Sequence, residues 1–393
     1  MILPLEGILV VSLEQAVAAP FASRQLADLG ARVIKVERPG AGDFARAYDN
    51  KVKGMSAYFI WLNRSKESLT LDLKHKEAPR ILSRLLERAD VFLQNLAPGA
   101  AARLGLSGHA LLAQHPRLIV CNISGYGSDG PYGSKKAYDL LVQCETGLVS
   151  ITGTPDTPSK VAISIADIAA GMYAYSGVLT ALYQREKTGR GTAFEVSMFE
   201  ALGEWMTQPG YFAAYGGSAP PRSGASHASI YPYGPFRTGD GKTVFFGIQN
   251  EREWANFCAD VLGQPELANN PRFDSNTERI NNRAALAPVI ERCLLQMDAQ
   301  EVLARLDEAQ IPNARLNSAQ EFWNHPQLQA RGRWREIDSP VGSLKSMLPP
   351  VTMEGVIPHM GPVPALGQHT REILKELGYT ENAIDQLASG AAI

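Results

Sequence analysis

The sequence predicts an α/β fold built on a doubly wound parallel sheet, and three observations carry that expectation. Short continuous apolar runs alternate with helical patterns through the first half of the chain. The runs are continuously apolar, as strands buried on both faces are, and do not alternate with polar residues. Repetition of the strand–helix–strand unit then favours helices on both sides of one sheet. With 393 residues, the chain is long enough for two or three domains and a large core.

In chain order, residues 8–13 (ILVVSL) read as the first strand. Pro20 fits the first turn of a helix that continues through RQLADL and stops at Gly30. Residues 32–37 (RVIKVE) form the second strand. Residues 68–73 (SLTLDL), 90–94 (DVFLQ) and 117–124 (RLIVCNIS) read as further strands, with helices at 76–88 and 108–114 between them. A helix of small and apolar residues is expected from about 168 to 186, closed by the Lys187-Thr188-Gly189-Arg190-Gly191 stop. The Gly/Ser/Pro-rich stretch 216–229 is the strongest composition shift. Beyond it come a hairpin around Gly239-Asp240-Gly241 and helices near 251–262, 280–296 and 299–309. The last of these opens at Asp298, with Glu301 placed for a capping box. A tail helix is expected at 369–378.

Composition narrows the function. The chain is 45% hydrophobic and 20% charged, with net charge −2, so neither nucleic acid nor an anionic membrane is an expected partner. No run approaches the roughly 20 apolar residues of a membrane helix, and MILPLEGILVV reads as a strand, not a signal peptide. Cys121, Cys144, Cys258 and Cys293 are scattered, as in a reduced cytoplasmic protein. Seven dispersed histidines include no H-x-x-x-H or H-E-x-x-H, so no metal is expected. A Walker A loop, a G-x-S-x-G and a G-x-G-x-x-G after the first strand are all missing, which argues against ATP, hydrolase and dinucleotide chemistry. Ligands of such sheets gather at the carboxyl ends of strands, here residues 14–19, 38–46 and 95–103.

Two quieter signals remain. Lys35, Arg38, Arg64, Lys66, Lys74 and Arg103 recur near the predicted strand-end loops. Any one of them is more often a solvated charge, yet several converging cations are what a ligand with more than one phosphate requires. Asp167 follows an apolar, strand-like run (VAISIA) and precedes the long helix. It suits a helix N-cap, and it also suits a carboxylate nucleophile held ionised by the helix terminus. Asp139 is the competing carboxylate, and spacing alone does not separate the two.

The segments LEGILVVSL, LADLGARVIKVERPGAGDFAR, LNRSKESLTLDLK, QNLAPGAAARLG, HPRLIVCNISGYGSDGPY, SIADIAAGMYA and REKTGRG, in that order, resemble the family III CoA-transferases. This group includes formyl-CoA:oxalate and carnitine CoA-transferases and the α-methylacyl-CoA racemases. The resemblance spans nearly the whole chain and is densest over residues 5–200. It implies that Asp167 is the nucleophile. It implies CoA contacts at Val17, Ala18, Arg38, Leu71, Lys74, Asn95, Leu96, Arg103, Lys136, Ala137 and Tyr138, with CoA as substrate and with no metal and no ATP.

The resemblance also implies a Rossmann-like large domain, its parallel sheet built from both chain ends (1–200 and 330–393). A linker at 201–224 and a smaller α+β domain at 225–329 complete the chain, and two subunits interlock as a homodimer. Racemases carry a histidine where this chain has Tyr138, which argues against racemisation. The loop Gly224–Ser229 lacks the glycine run of the oxalate enzymes. RSGASHASIYPYGPF resembles the branch acting on succinyl-CoA with itaconate, mesaconate, citramalate or malate, where His227, and secondarily Arg222, would bind the far carboxylate. A racemase or epimerase, a catalytically silent CoA-binding protein, and intramolecular C1–C4 transfer on mesaconyl-CoA are the alternatives.

Overall fold

The computed structural model describes residues 3–393. The chain divides into two compact units. One comprises the chain up to Leu148, Val161–Gln208 and Leu328–Ile393; the other comprises Val149–Lys160 and Pro209–Gln327. Residues 149–160, expected within the large domain, therefore group with the second unit.

The first unit is built on six parallel strands: β1 (Leu9–Leu13), β2 (Arg32–Glu37), β3 (Lys66–Thr70), β4 (Val91–Gln94), β5 (Ile119–Ser124) and β6 (Ala193–Ser197). Their order is β3-β2-β1-β4-β5-β6, so the winding reverses between β1 and β4. Val11 lies between Ile34 and Phe92, and all three are fully or almost fully buried. One sheet face is covered by helices Ala18–Asp28, Ile165–Thr188 and Met198–Trp205; the other by Ala78–Leu86 and the C-terminal helices Thr370–Glu376 and Glu381–Ser389. Each fully buried Leu, Ile or Val side chain in such layers contributes about 1.5–3 kcal/mol relative to exposure.

Several expectations need correction. The C-terminal segment supplies covering helices and the antiparallel ribbon β10–β11 (Trp334–Ile337, Leu344–Met347), but no strand of the parallel sheet. β3 stops at Thr70 instead of running to 73: the Leu71 N–H still bonds the Glu37 carbonyl, but Asp72 then turns the chain by accepting the Lys74 N–H. Residues 161–164 form no strand, and the long helix begins at Ile165. Most of the expected linker is helical, as Met198–Trp205 and Thr207–Gly216.

The Ile165–Thr188 helix meets the length and apolarity of a membrane span. Its small-residue face (Ala166, Ala169, Ala170, Gly171, Ala174) is nonetheless packed inside this unit. At Gly171 a Cβ would stand 2.7 Å from the Ala18 carbonyl, so glycine lets this helix approach the first turn of Ala18–Asp28. Gly189, at φ 71°, terminates it.

The second unit holds the antiparallel sheet β7 (Tyr233–Arg237), β8 (Thr243–Gly247) and β9 (Asn313–Arg315). Helices Glu251–Asn256, Arg283–Leu294 and Ala299–Glu308 close its core around Trp254, Phe257, Ile290 and Val302. Asp298 accepts the Glu301 N–H at 2.8 Å and caps the last of these.

Candidate functional site

The carboxyl ends of β1, β2 and β4 converge on the loop Gln15–Val17. Asn95, just past β4, holds Gln15 by two bonds: its Oδ1 accepts the Gln15 N–H at 2.9 Å and its Nδ2 donates to the Gln15 carbonyl at 2.8 Å. Asp43 Oδ1 accepts the next N–H, from Ala16, at 3.0 Å. Ala16 lies at φ 63°, a region in which an L residue is strained by about 1–2 kcal/mol. These restraints leave Val17 and Ala18 at the start of the first helix.

Beneath the loop lies a fully buried ionic network. Lys35 Nζ is 2.7 Å from Asp43 and 3.3 Å from Glu14, while Lys66 Nζ is 2.6 Å from Glu14. Lys66 also donates to the Pro20 carbonyl and to Asn63. Burial alone would raise the Glu14 pKa, but Lys66 and Lys35 outweigh it and hold the carboxyl at about 2. Lys35 and Lys66 therefore sit in strands with their charges consumed, and Arg64 is paired with Asp28 at 2.7 Å. These three cations, picked out in the sequence as phosphate ligands, are structural. A buried pair of this kind is costly to break from one side, at about 3–5 kcal/mol.

Arg38, Lys74 and Arg103 differ from them. All three are exposed, and none takes part in an ion pair among the described residues. Arg38, Leu71, Lys74 and Leu96 line one cleft with Leu13, Val36 and Gly42, and its volume is about 180 Å³. Arg103 ends the short helix Ala100–Arg103, with its guanidinium over Gly99. Lys136, Ala137 and Tyr138 form a further strip, with Lys136 and Tyr138 exposed. There Gly125 admits Ala137, since a Cβ on Gly125 would stand 2.3 Å from the alanine methyl.

Asp167 lies in the first turn of the Ile165–Thr188 helix but is not its N-cap. That position is Ser164, whose side chain makes no capping bond. Asp139 performs the capping from another helix: its Oδ1 accepts the Ala166 N–H at 2.8 Å and the Asp167 N–H at 3.4 Å, and its Oδ2 accepts from Gln143 at 2.7 Å. Gln143 in turn accepts the Val161 N–H. The two candidate carboxylates thus separate, with Asp139 committed to the backbone and Asp167 facing the Ala18 N–H. Burial, and then the Asp139 charge, push the Asp167 carboxyl up to about 7 against that N–H. Raising a carboxylate's basicity while leaving it ionisable near neutrality suits a nucleophile.

Tyr48 was missed in the sequence. It packs edge-on to Tyr58 at 5.5 Å, and its phenol is raised to about 12 by burial and then by Asp43, Asp167 and Tyr138. No local pattern marks it, because only the fold brings Tyr48 within the electrostatic influence of Asp167.

In the second unit, Arg222 donates to the carbonyls of Thr154, Ser150 and Pro155 at 2.9, 3.1 and 2.6 Å. Its guanidinium fastens the 150–155 segment and is not held open for a substrate carboxylate. His227 stacks on Tyr233, with ring centroids 5.1 Å apart. Its Nδ1 accepts the Ser229 N–H at 3.2 Å, which assigns the proton of the neutral ring to Nε2. His227 is exposed, and its Nε2–H is a donor available for an acceptor group.

Fold and cleft define the class: an α/β protein with its site at the carboxyl edge of a parallel sheet. The family model described as CoA-transferase family III matches residues 5–370. The chain is 34% identical to the succinyl-CoA:glutarate CoA-transferase of Mus musculus, across 99% of this chain and 90% of that protein. It is 33% identical to the succinyl-CoA–D-citramalate CoA-transferase of Chloroflexus aurantiacus, across 99% and 98%. A solved CaiB/BaiF family protein from Brucella suis superposes with a TM-score of 0.84 at 32% identity, covering 96% of this chain and 100% of that one. The chain belongs to CoA-transferase family III and is an enzyme that transfers CoA.

Proposed function

We propose that the enzyme moves CoA from succinyl-CoA to a C4–C5 dicarboxylic acid through a covalent intermediate on Asp167. The acceptors to consider are glutarate and citramalate, named for the relatives, together with itaconate, mesaconate and malate. The observation that carries the reading is Asp167 itself: relieved of capping by Asp139, raised to about 7, and facing the Ala18 N–H.

The Asp167 carboxylate attacks the donor thioester carbonyl, forming a mixed anhydride and expelling CoA thiolate. Thiolate attacks the aspartyl carbonyl, giving an aspartyl-CoA thioester and releasing succinate. The acceptor carboxylate then attacks that thioester, and the sequence runs in reverse. One thioester replaces another, so neither ATP nor a metal is called for. Division into covalent steps lowers each barrier, and the Ala18 N–H would stabilise the oxyanion at the aspartyl carbonyl.

Arg38, Lys74, Arg103 and Lys136 would hold the CoA phosphates, and Val17, Leu71, Leu96, Ala137 and Tyr138 would wall its apolar stem. His227, through Nε2–H, would bind the distal carboxylate. Tyr138 in place of a histidine disfavours a two-base racemase. Exposed Leu140, Leu141, Met172, Tyr183, Phe199 and Trp205 in the first unit would be covered in a homodimer, since exposed apolar side chains favour a subunit interface. Four free cysteines suit the reducing cytoplasm.

The test is a donor–acceptor matrix of succinyl-CoA against the five dicarboxylates and a monocarboxylic control, read by mass spectrometry of CoA esters. Preference for a monocarboxylic acceptor overturns the substrate assignment. Exchange of the α-proton of a 2-methylacyl-CoA in deuterated water, without transfer, points to racemisation.

A further inference from the structure

The geometry points to Asp43 as a positioning residue for the transfer step, acting through the backbone of Ala16 to fix the Ala18 N–H against the nucleophile. The inference rests on the covalent mechanism above. Asp43 stands between three segments of chain. Its Oδ1 accepts the Ala16 N–H at 3.0 Å and the Ala45 N–H at 2.9 Å, and its Oδ2 accepts from Lys35, on β2, at 2.7 Å. Its own N–H is held by Glu37 at 3.0 Å, and Glu37 is held in turn by Arg46 and Ser68. The Asp43 side chain is wholly buried, so water cannot take over these bonds.

What Asp43 holds is a strained conformation. Ala16 lies at φ 63° and, once released, would relax to the ordinary negative range and turn the peptide that follows. Two residues on is Ala18, which packs against the Asp167 helix closely enough that a Cβ on Gly171 would stand 2.7 Å from its carbonyl, and whose N–H favours the ionised Asp167 carboxyl. Asn95 already fixes Gln15 through both backbone groups, so Asp43 supplies the next restraint along the loop. A simple charge partner for Lys35 would need Oδ2 alone. The two N–H bonds on Oδ1 assign Asp43 a geometric task in addition. Displacing a catalytic group by about 1 Å is enough to cost on the order of 100-fold in rate.

Two double variants separate geometry from charge. Asp43→Asn with Lys35→Met removes the buried ion pair but keeps an Oδ1 acceptor for Ala16 and Ala45. Asp43→Leu with Lys35→Met removes the pair and the acceptor together, at similar volume. Rapid-quench mass spectrometry gives the rate of adduct formation on Asp167 from succinyl-CoA, and titration calorimetry with CoA gives binding. The expected result is an adduct rate within about fivefold of wild type for the asparagine pair and roughly 30- to 100-fold slower for the leucine pair. Asp43 also borders the CoA cleft, so CoA affinity should fall to a similar, small extent in both, by less than about tenfold, with Arg38, Lys74 and Arg103 untouched. Equal adduct rates in the two variants overturn the inference, as does a parallel loss of CoA affinity and adduct rate in the leucine pair. If the leucine pair does not fold, Asp43→Ala with Lys35→Met takes its place in the comparison. Absence of an adduct on the wild-type enzyme overturns the covalent reading, and this inference with it.

Discussion

Replacing Asp167 by asparagine should abolish transfer and, at alkaline pH, make the protein more stable. The folded carboxyl titrates at about 7 against an ordinary value of 3.8. Burial is the first cause, and the neighbouring Asp139 carboxylate the second. For an acid whose pKa is raised on folding, the unfolded chain releases the proton first. The group's contribution to stability is fully present below about pH 4 and is lost as pH rises through about 7. At roughly 1.4 kcal/mol per unit, the wild type loses up to about 4 kcal/mol across that window, and about 2–4 once solvent at the open edge of the site is allowed for. Asparagine keeps an oxygen for the Ala18 N–H and carries no charge, so its stability should lack this component. Urea unfolding at pH 5 and pH 8, followed by the same probe, measures the difference. The variant should exceed the wild type by about 1–2 kcal/mol at pH 5, where part of the loss has already occurred, and by about 2–4 kcal/mol at pH 8. A variant destabilised equally at both pH values would refute the reasoning, because it would show Asp167 to be a structural cap.

Three further outcomes follow from the same geometry. Asp139→Asn keeps an acceptor for the Ala166 N–H but removes the like charge, so the Asp167 pKa should fall. The acidic limb of the kcat/KM profile should then move to lower pH; a shift upward, or none, contradicts the pairing. Arg38→Ala and Lys74→Ala should raise KM for the CoA ester with kcat nearly unchanged, as loss of uniform binding does, and an unchanged KM in both would make them ordinary surface charges. His227→Ala should lower kcat/KM for dicarboxylic acceptors by roughly 10- to 150-fold, the equivalent of a charge-assisted hydrogen bond of about 1.5–3 kcal/mol. It should spare a monocarboxylic acceptor of similar length, and an equal loss with both would indicate a general role in the loop.

The sequence made the sheet legible where burial is two-sided. RVIKVE reads as a strand because β2 is covered on both faces, and its bounds agree with the observed Arg32–Glu37. β6 was missed because AFEVS is short, half-exposed and carries a central glutamate. Lys35 and Lys66 looked like loop cations because their partners, Glu14 and Asp43, lie 8 to 52 residues away in the chain. Asp167 was legible as a candidate but not separable from Asp139, since the cap that distinguishes them crosses 27 residues. Arg222 carried no local sign of its three carbonyl partners. In each case the missing information is a long-range contact, which periodicity and turn chemistry do not encode.

The covalent adduct is the most direct test. The full-length enzyme is incubated with succinyl-CoA, quenched in acid, digested and sequenced by tandem mass spectrometry, with a parallel sample trapped by hydroxylamine. The expected result is a succinyl or CoA adduct on Asp167, converted to the hydroxamate in the trapped sample and absent from Asp167→Asn. An adduct mapped to Asp139, or turnover at full rate with Asp167 unmodified throughout, would contradict it.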